Sequence, residues 1–99
     1  MNVPSSVKVG AFIIAVNRDP FLMASREAYG EYHPSKLEIV LDTNLNKQKE
    51  GETLLHEMLE AIDAIYDIEL DHHKLSLMAT ALHQVVIENP NIFKELRNG

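Results

Sequence analysis

The chain contains no cysteine. Disulfides, thiolate metal sites and thiol chemistry are therefore excluded, and a reducing compartment is permitted. Any metal has to be held by histidine and carboxylate. Positive charge is scarce too: 9 Lys and Arg face 15 Asp and Glu, for a formal net charge of −6. With no Lys/Arg cluster to displace counterions from phosphates, nucleic-acid binding is not expected, and adhesion to anionic lipid is disfavoured for the same reason. No apolar run approaches the length of a bilayer span, and the amino terminus lacks a positive stretch followed by an apolar one. The expectation is a cytoplasmic protein without membrane contact.

What is present suits one domain, residues 1–99, in which 45% hydrophobic residues supply a single core. Strand signals come first and helix signals second. Val7 to Val16 is dense in β-branched and aromatic residues, and Phe12-Ile13-Ile14-Ala15-Val16 is apolar on both faces, which predicts a buried central strand. Asp19-Pro20 reads as an N-cap with proline at the first helical position, opening a short helix to Ala28 that Gly30 stops. Gly30–His33 and Lys36–Leu41, parted by Pro34-Ser35, predict a hairpin with Leu37, Ile39 and Leu41 toward the core. Asp42 to Glu50 is polar and reads as a loop. The fold class that follows is α+β, a small antiparallel sheet of about three strands followed by two packed helices.

The first of those helices, Glu52 to Asp67, carries the chemistry. Leu54, Met58, Ala61 and Ile65 form an apolar stripe broadened by Leu55, Ile62 and Tyr66, while Glu52, His56, Glu60, Asp63 and Asp67 gather within about 80° of one another on another flank. His56-Glu57-Met58-Leu59-Glu60 puts His56 and Glu60 one turn apart on one face, with Glu57 beside them about 100° round. A metal-ligand pair and a general base require that spacing. Taken alone the motif recurs by chance in on the order of one protein of this size in a hundred, and such a ridge also serves as the solvated side of an amphipathic helix.

Downstream, Leu70-Asp71-His72-His73-Lys74-Leu75 reads as the start of a second helix, with Asp71 as N-cap and Leu70 and Leu75 as a hydrophobic staple. Leu75, Met78, Ala79, Leu82, Val85 and Val86 make its apolar face, and Asn89-Pro90 ends it. His72 should point toward the packed side, and His73, the alternative third ligand, more toward solvent. If the second helix crosses back over the first, His56, Glu60 and His72 form a two-histidine, one-carboxylate set, the inventory of one class of catalytic zinc site with a fourth position open to water.

The run Thr53 to Pro90, T-L-L-H-E-M-L-E-A-I-D-A-I-Y-D-I-E-L-D-H-H-K-L-S-L-M-A-T-A-L-H-Q-V-V-I-E-N-P, resembles the small zincin-type metallopeptidase-like proteins encoded in bacteriophages and prophages. Tyr29-Gly30-Glu31-Tyr32 and Lys36 to Leu41 resemble the strands that precede the motif there, so the likeness covers most of the chain. It implies a minimal zincin-like domain with zinc as cofactor and a peptide or protein substrate in the host cytoplasm. By position it implies His56 and Glu60 as helix ligands, His72 as the later histidine and Glu57 as catalytic base. Glu60 stands where those proteins commonly have histidine, and its charge would make a bound metal a weaker Lewis acid. The strand Lys36 to Leu41 would offer an edge for an extended peptide.

Other candidates have plainer readings. Asp63 is either solvated or orients a ligand histidine. His83 reads as a surface or packing residue and His33 as a turn residue. Tyr29, Tyr32 and Tyr66 fit core or rim positions, and Met58 and Met78 fit the core. Ile92, Phe93 and Leu96 form a last amphipathic turn that caps the core, with Arg97 to Gly99 frayed. The competing function class is a non-catalytic acidic phage-type protein that binds a host or phage partner, with a structural metal site or none.

Overall fold

The structure, a computed structural model, describes residues 3–99. Its strands are β1 (Ser6–Val9), β2 (Phe12–Asp19), β3 (Gly30–His33) and β4 (Glu38–Asp42). Its helices are α1 (Leu22–Arg26), α2 (Lys47–Tyr66), α3 (His72–Glu88) and α4 (Ile92–Asn98). The fold class is α+β, and the sheet has four strands in the order β1-β2-β4-β3. Among the described residues no helix is long and apolar enough to cross a membrane.

Val7 to Val16, expected as one strand, is two. Gly10 takes φ +58°, a left-handed turn that glycine adopts without steric cost, and the chain reverses there so that Val7 pairs with Ile14. β2 is central, as its composition suggests, but only one of its faces is buried. Ile14 and Val16 face the core, while Ile13 is 68% exposed on the uncovered side.

The expected hairpin of β3 and β4 forms, with Gly30 opposite Leu41 and His33 opposite Glu38. A 3₁₀ turn at Pro34–Lys36 joins the two strands. β4 does not lie at an edge, however. The chain leaves β2, passes through α1, descends the outer edge as β3 and returns as β4 between them, so β4 pairs parallel with β2. The sheet is therefore mixed rather than antiparallel, and β3 is the outer strand. Ile14, Ile39 and Leu41 are fully buried beneath α2, each contributing about 1.5–3 kcal/mol of burial.

Polar residues close the strand ends. Asp19 is not an N-cap: its Oδ1 accepts from Phe21 N at 2.8 Å in a local turn, and α1 starts at Leu22 and stops at Glu27, which adopts a left-handed conformation. Asp42, only 3% exposed, accepts from Met23 N at 2.9 Å and Asn44 N at 2.8 Å, which ties α1 to the end of β4.

α2 begins five residues before Glu52 because Asn46 caps it, its side chain accepting from Lys49 N at 2.8 Å. An ion pair at 2.7 Å between Arg18 and Glu50 fastens this first turn to β2. Leu54 and Ala61 enter the core, with Met58, Ile62 and Ile65 packed against it. At the far end Asp63 organises the bend. Its carbonyl accepts from Asp67 N and Ile68 N, and its Oδ1 accepts from Leu70 N at 2.9 Å. Asp71 then caps α3 as expected, accepting from Lys74 N at 2.9 Å.

The C-terminal helices depart from expectation. Leu75, Ala79 and His83 are the buried residues of α3, whereas Met78 is 47% exposed. α3 packs chiefly on α2 rather than being sandwiched, so one narrow stripe suffices. α4 extends through Asn98 and buries none of its residues; Phe93 and Leu96 face outward and do not cap the core.

Replacing Asp63 by alanine is expected to cost about 1–3 kcal/mol, because Leu70 N loses a charged acceptor in a partly buried bend. Urea denaturation checks this, and Asp63→Asn, which keeps a carbonyl acceptor, should recover much of the loss.

Candidate metal centre

His56 and Glu60 project from the same face of α2, and His72 is the first helical residue of α3. Because the bend returns α3 over α2, the three side chains converge. Glu60 Oε1 lies 3.5 Å from His56 Nε2 and 3.3 Å from His72 Nδ1, and one ligand atom from each residue falls within 4.8 Å of the others. The two imidazoles meet edge to face with centroids 5.4 Å apart.

Glu60 sits at ion-pair distance from both rings, so one oxygen can pair with the two imidazoles or share a cation with them. Ligand bonds of about 2.0–2.2 Å in a tetrahedral shell put neighbouring ligand atoms about 3.3–3.5 Å apart. Both contacts to Glu60 match that tetrahedral edge, so this group can hold a divalent cation. The His72 side chain is 76% exposed and does not point into packed core as its spacing suggests. The cluster is thus open to solvent on one side, unlike a site closed by four protein ligands.

Burial lowers the pKa of His56 from 6.5; Glu60 opposes the shift, and His72 and then Lys49 reinforce it. A neutral imidazole is the form that binds metal. Glu57 is 7% exposed, and its carboxyl is pushed up to about 7, first by burial and then by the negative charges of Glu60 and Glu31. General bases are most effective with a pKa near the working pH.

Glu57 stands between two cavities. One, of about 360 Å³, is lined by His56, His72, Tyr29, Gly30, Lys49 and Thr53 among others. The other, of about 490 Å³, is bounded by Arg26, Glu31, Tyr32, His33, Glu60 and Asp63. Gly30 sets the spacing between β3 and the motif helix. A Cβ there would meet Thr53 Cγ2 at 2.7 Å and Glu57 Cγ at 3.2 Å, so only glycine lets the outer strand approach Glu57 so closely.

The remaining candidates are elsewhere. His73 is exposed and joins no ligand group among the described residues. His83 is buried in the α3 stripe, as a packing histidine would be. His33 ends β3 and caps the 3₁₀ turn that follows, and its Nε2 lies 3.1 Å from Glu31 Oε1. Asp63 is neither simply solvated nor paired with a ligand histidine; it holds the bend. Tyr32 packs against the core and Tyr66 is exposed. The strand that borders the cluster is β3, not the Lys36–Leu41 segment, because β4 is covered on both edges.

Sequence reasoning passed over Lys49, Gly30 and Glu31. Lys49 and His56 are seven residues apart, a helical spacing, but Lys49 looked like part of a loop. Compared with protein-family models, curated proteins and solved structures, the chain matches none.

A pH dependence follows for the metal-free protein. Unfolded chain ionises Glu57 near 4.5, whereas the folded chain keeps the proton to about 7. The stabilisation of the neutral form is therefore complete below the lower value and lost as pH rises through the upper one. Relative to Glu57→Gln, the native chain should lose on the order of 3 kcal/mol between about pH 4 and pH 8. Denaturation of both proteins across that range measures it, and parallel profiles would contradict the assignment.

Proposed function

We propose that this protein is a zinc-dependent hydrolase of peptide bonds on a minimal zincin-like domain, with His56 Nε2, Glu60 Oε1 and His72 Nδ1 holding the metal. The convergence of those three atoms beside a buried carboxylate carries the reading. The resemblance of the Thr53 to Pro90 run to zincin-type proteins supports it. A zinc ion held there would supply Lewis acidity and acidify a water at neutral pH, less strongly than with three neutral ligands because Glu60 is charged.

Glu57 acts as general base. It takes a proton from the attacking water on its carboxylate oxygen and later hands it to the leaving amine. Burial keeps that carboxylate from being fully ionised on its own, and bound positive charge would bring it into its basic form. Gly30 brings β3 alongside, and the outer backbone of β3 can pair with an extended peptide by strand addition. Glu31, paired with Arg26 at 3.2 Å, and Asp63 line the second cavity.

A second reading, a non-catalytic protein that binds a protein partner, draws on a separate observation. Leu77, Val85 and Ile87 of α3 and Phe93 and Leu96 of α4 are exposed apolar residues, the kind of surface that marks interaction sites. On that reading Glu57→Gln leaves the biological activity intact.

Purified protein should take up zinc in a 1:1 ratio with a rise in melting temperature, and His56→Ala should lose both, as read by calorimetry and thermal denaturation. Glu57→Gln should bind zinc as well as the native chain yet lose about 100-fold or more of its peptide hydrolysis. Absence of zinc uptake, or undiminished turnover in Glu57→Gln, would contradict the proposal.

A further inference from the structure

The 360 Å³ cavity contains a cation that the hydrolytic step leaves unused. Lys49 Nζ sits 4.4 Å from the centroid of the Tyr29 ring, close enough for a cation–π contact that fixes the ammonium in the cavity wall. Among the described residues no carboxylate lies within ion-pair distance of it. Glu52 lines the same cavity one turn along α2 without reaching it. In a chain with 15 acidic residues to 9 basic ones, a lysine held on an aromatic face and not paired with a carboxylate is conspicuous.

Its position relates it to the metal group. Seven residues separate Lys49 from His56, two turns that return to nearly the same helix face, with an axial spacing of about 10 Å. Extended peptide advances about 3.3–3.6 Å per residue, so at most about three residues fit between the two side chains. Thr53, Ser76 and Thr80 add hydroxyl groups along that path. Lys49 also lies near enough to His56 to bear on the charge of its ring.

Resting on the hydrolase reading above, we propose that Lys49 receives the free α-carboxylate of a peptide, so that the site acts near C-termini and selects short peptide acids over internal segments. The ammonium is the carboxylate's partner, Tyr29 holds that ammonium in place, and the cavity length sets how many residues lie between the carboxylate and the bond at the metal group. Lys49 is here a specificity-determining residue and takes no part in the proton transfers assigned to Glu57.

The test compares N-acetyl-trialanine with its C-terminal amide, titrated into the zinc-loaded Glu57→Gln chain and followed by the amide resonances of Gly30, Thr53 and Thr80. The acid should bind about tenfold tighter than the amide. Lys49→Met should abolish the difference while still taking up zinc in a 1:1 ratio, and Lys49→Arg should keep it. Equal binding of acid and amide, or a preference that survives in Lys49→Met, overturns the proposal. Repeating the comparison without zinc separates the two readings. A chain that takes up no zinc yet shows a Lys49-dependent preference loses the hydrolase assignment and keeps the carboxylate subsite, whereas zinc uptake without the preference does the reverse.

Discussion

The convergence of His56, Glu60 and His72 depends on how the chain turns between α2 and α3. Two helices joined by a short connection normally bring together only the end of one and the start of the next, and Glu60 lies six residues before the end of α2. Asp63 resolves this by satisfying three backbone N–H groups in the bend, two through its carbonyl and one through its side chain. The first turn of α3 is thereby folded back over α2, with left-handed conformations at Asp67 and Glu69 absorbing the reversal. Asp71 then caps the new helix where His72 can reach Glu60. One of the three bonds in the bend comes from a carboxylate outside the ligand group, so Asp63 supports the cluster through the bend rather than through the cluster itself.

A second constraint acts from the sheet side. The outer strand β3 approaches the motif helix at Gly30, and the absence of a side chain there leaves Glu57 in a narrow wall between two cavities. Burial in that wall raises the carboxyl toward neutrality and costs the fold stability at higher pH. The fold tolerates it because the core around Ile14, Ile39, Leu41, Leu54 and Ala61 is otherwise apolar and continuous.

Local chemistry was legible in the sequence; non-local pairing was not. The motif spacing, the Asp71 cap, the β3–β4 hairpin and the α+β class all rest on contacts within a few residues, and the structure contains each of them. The parallel pairing of β4 with β2 could not be read, because a strand's neighbour is chosen by the path of the whole chain. The start of α2 was hidden for another reason: Asn46 caps a first turn whose polar residues look like a loop, and this concealed Lys49. Met78, Phe93 and Leu96 were assigned inward by periodicity, but helices at the periphery of the fold leave much of their apolar surface outside. Convergence of His56, Glu60 and His72 required a crossing that the sequence permitted without dictating.

On the proposed metal site each histidine would offer a specific ring nitrogen, and that assignment is measurable. Nitrogen-15 NMR of the histidine rings during zinc titration should show coordination at Nε2 of His56 and Nδ1 of His72, with His73 unaffected. Rings of His56 and His72 that do not respond to zinc, or a response at His73 in place of His72, would contradict the account.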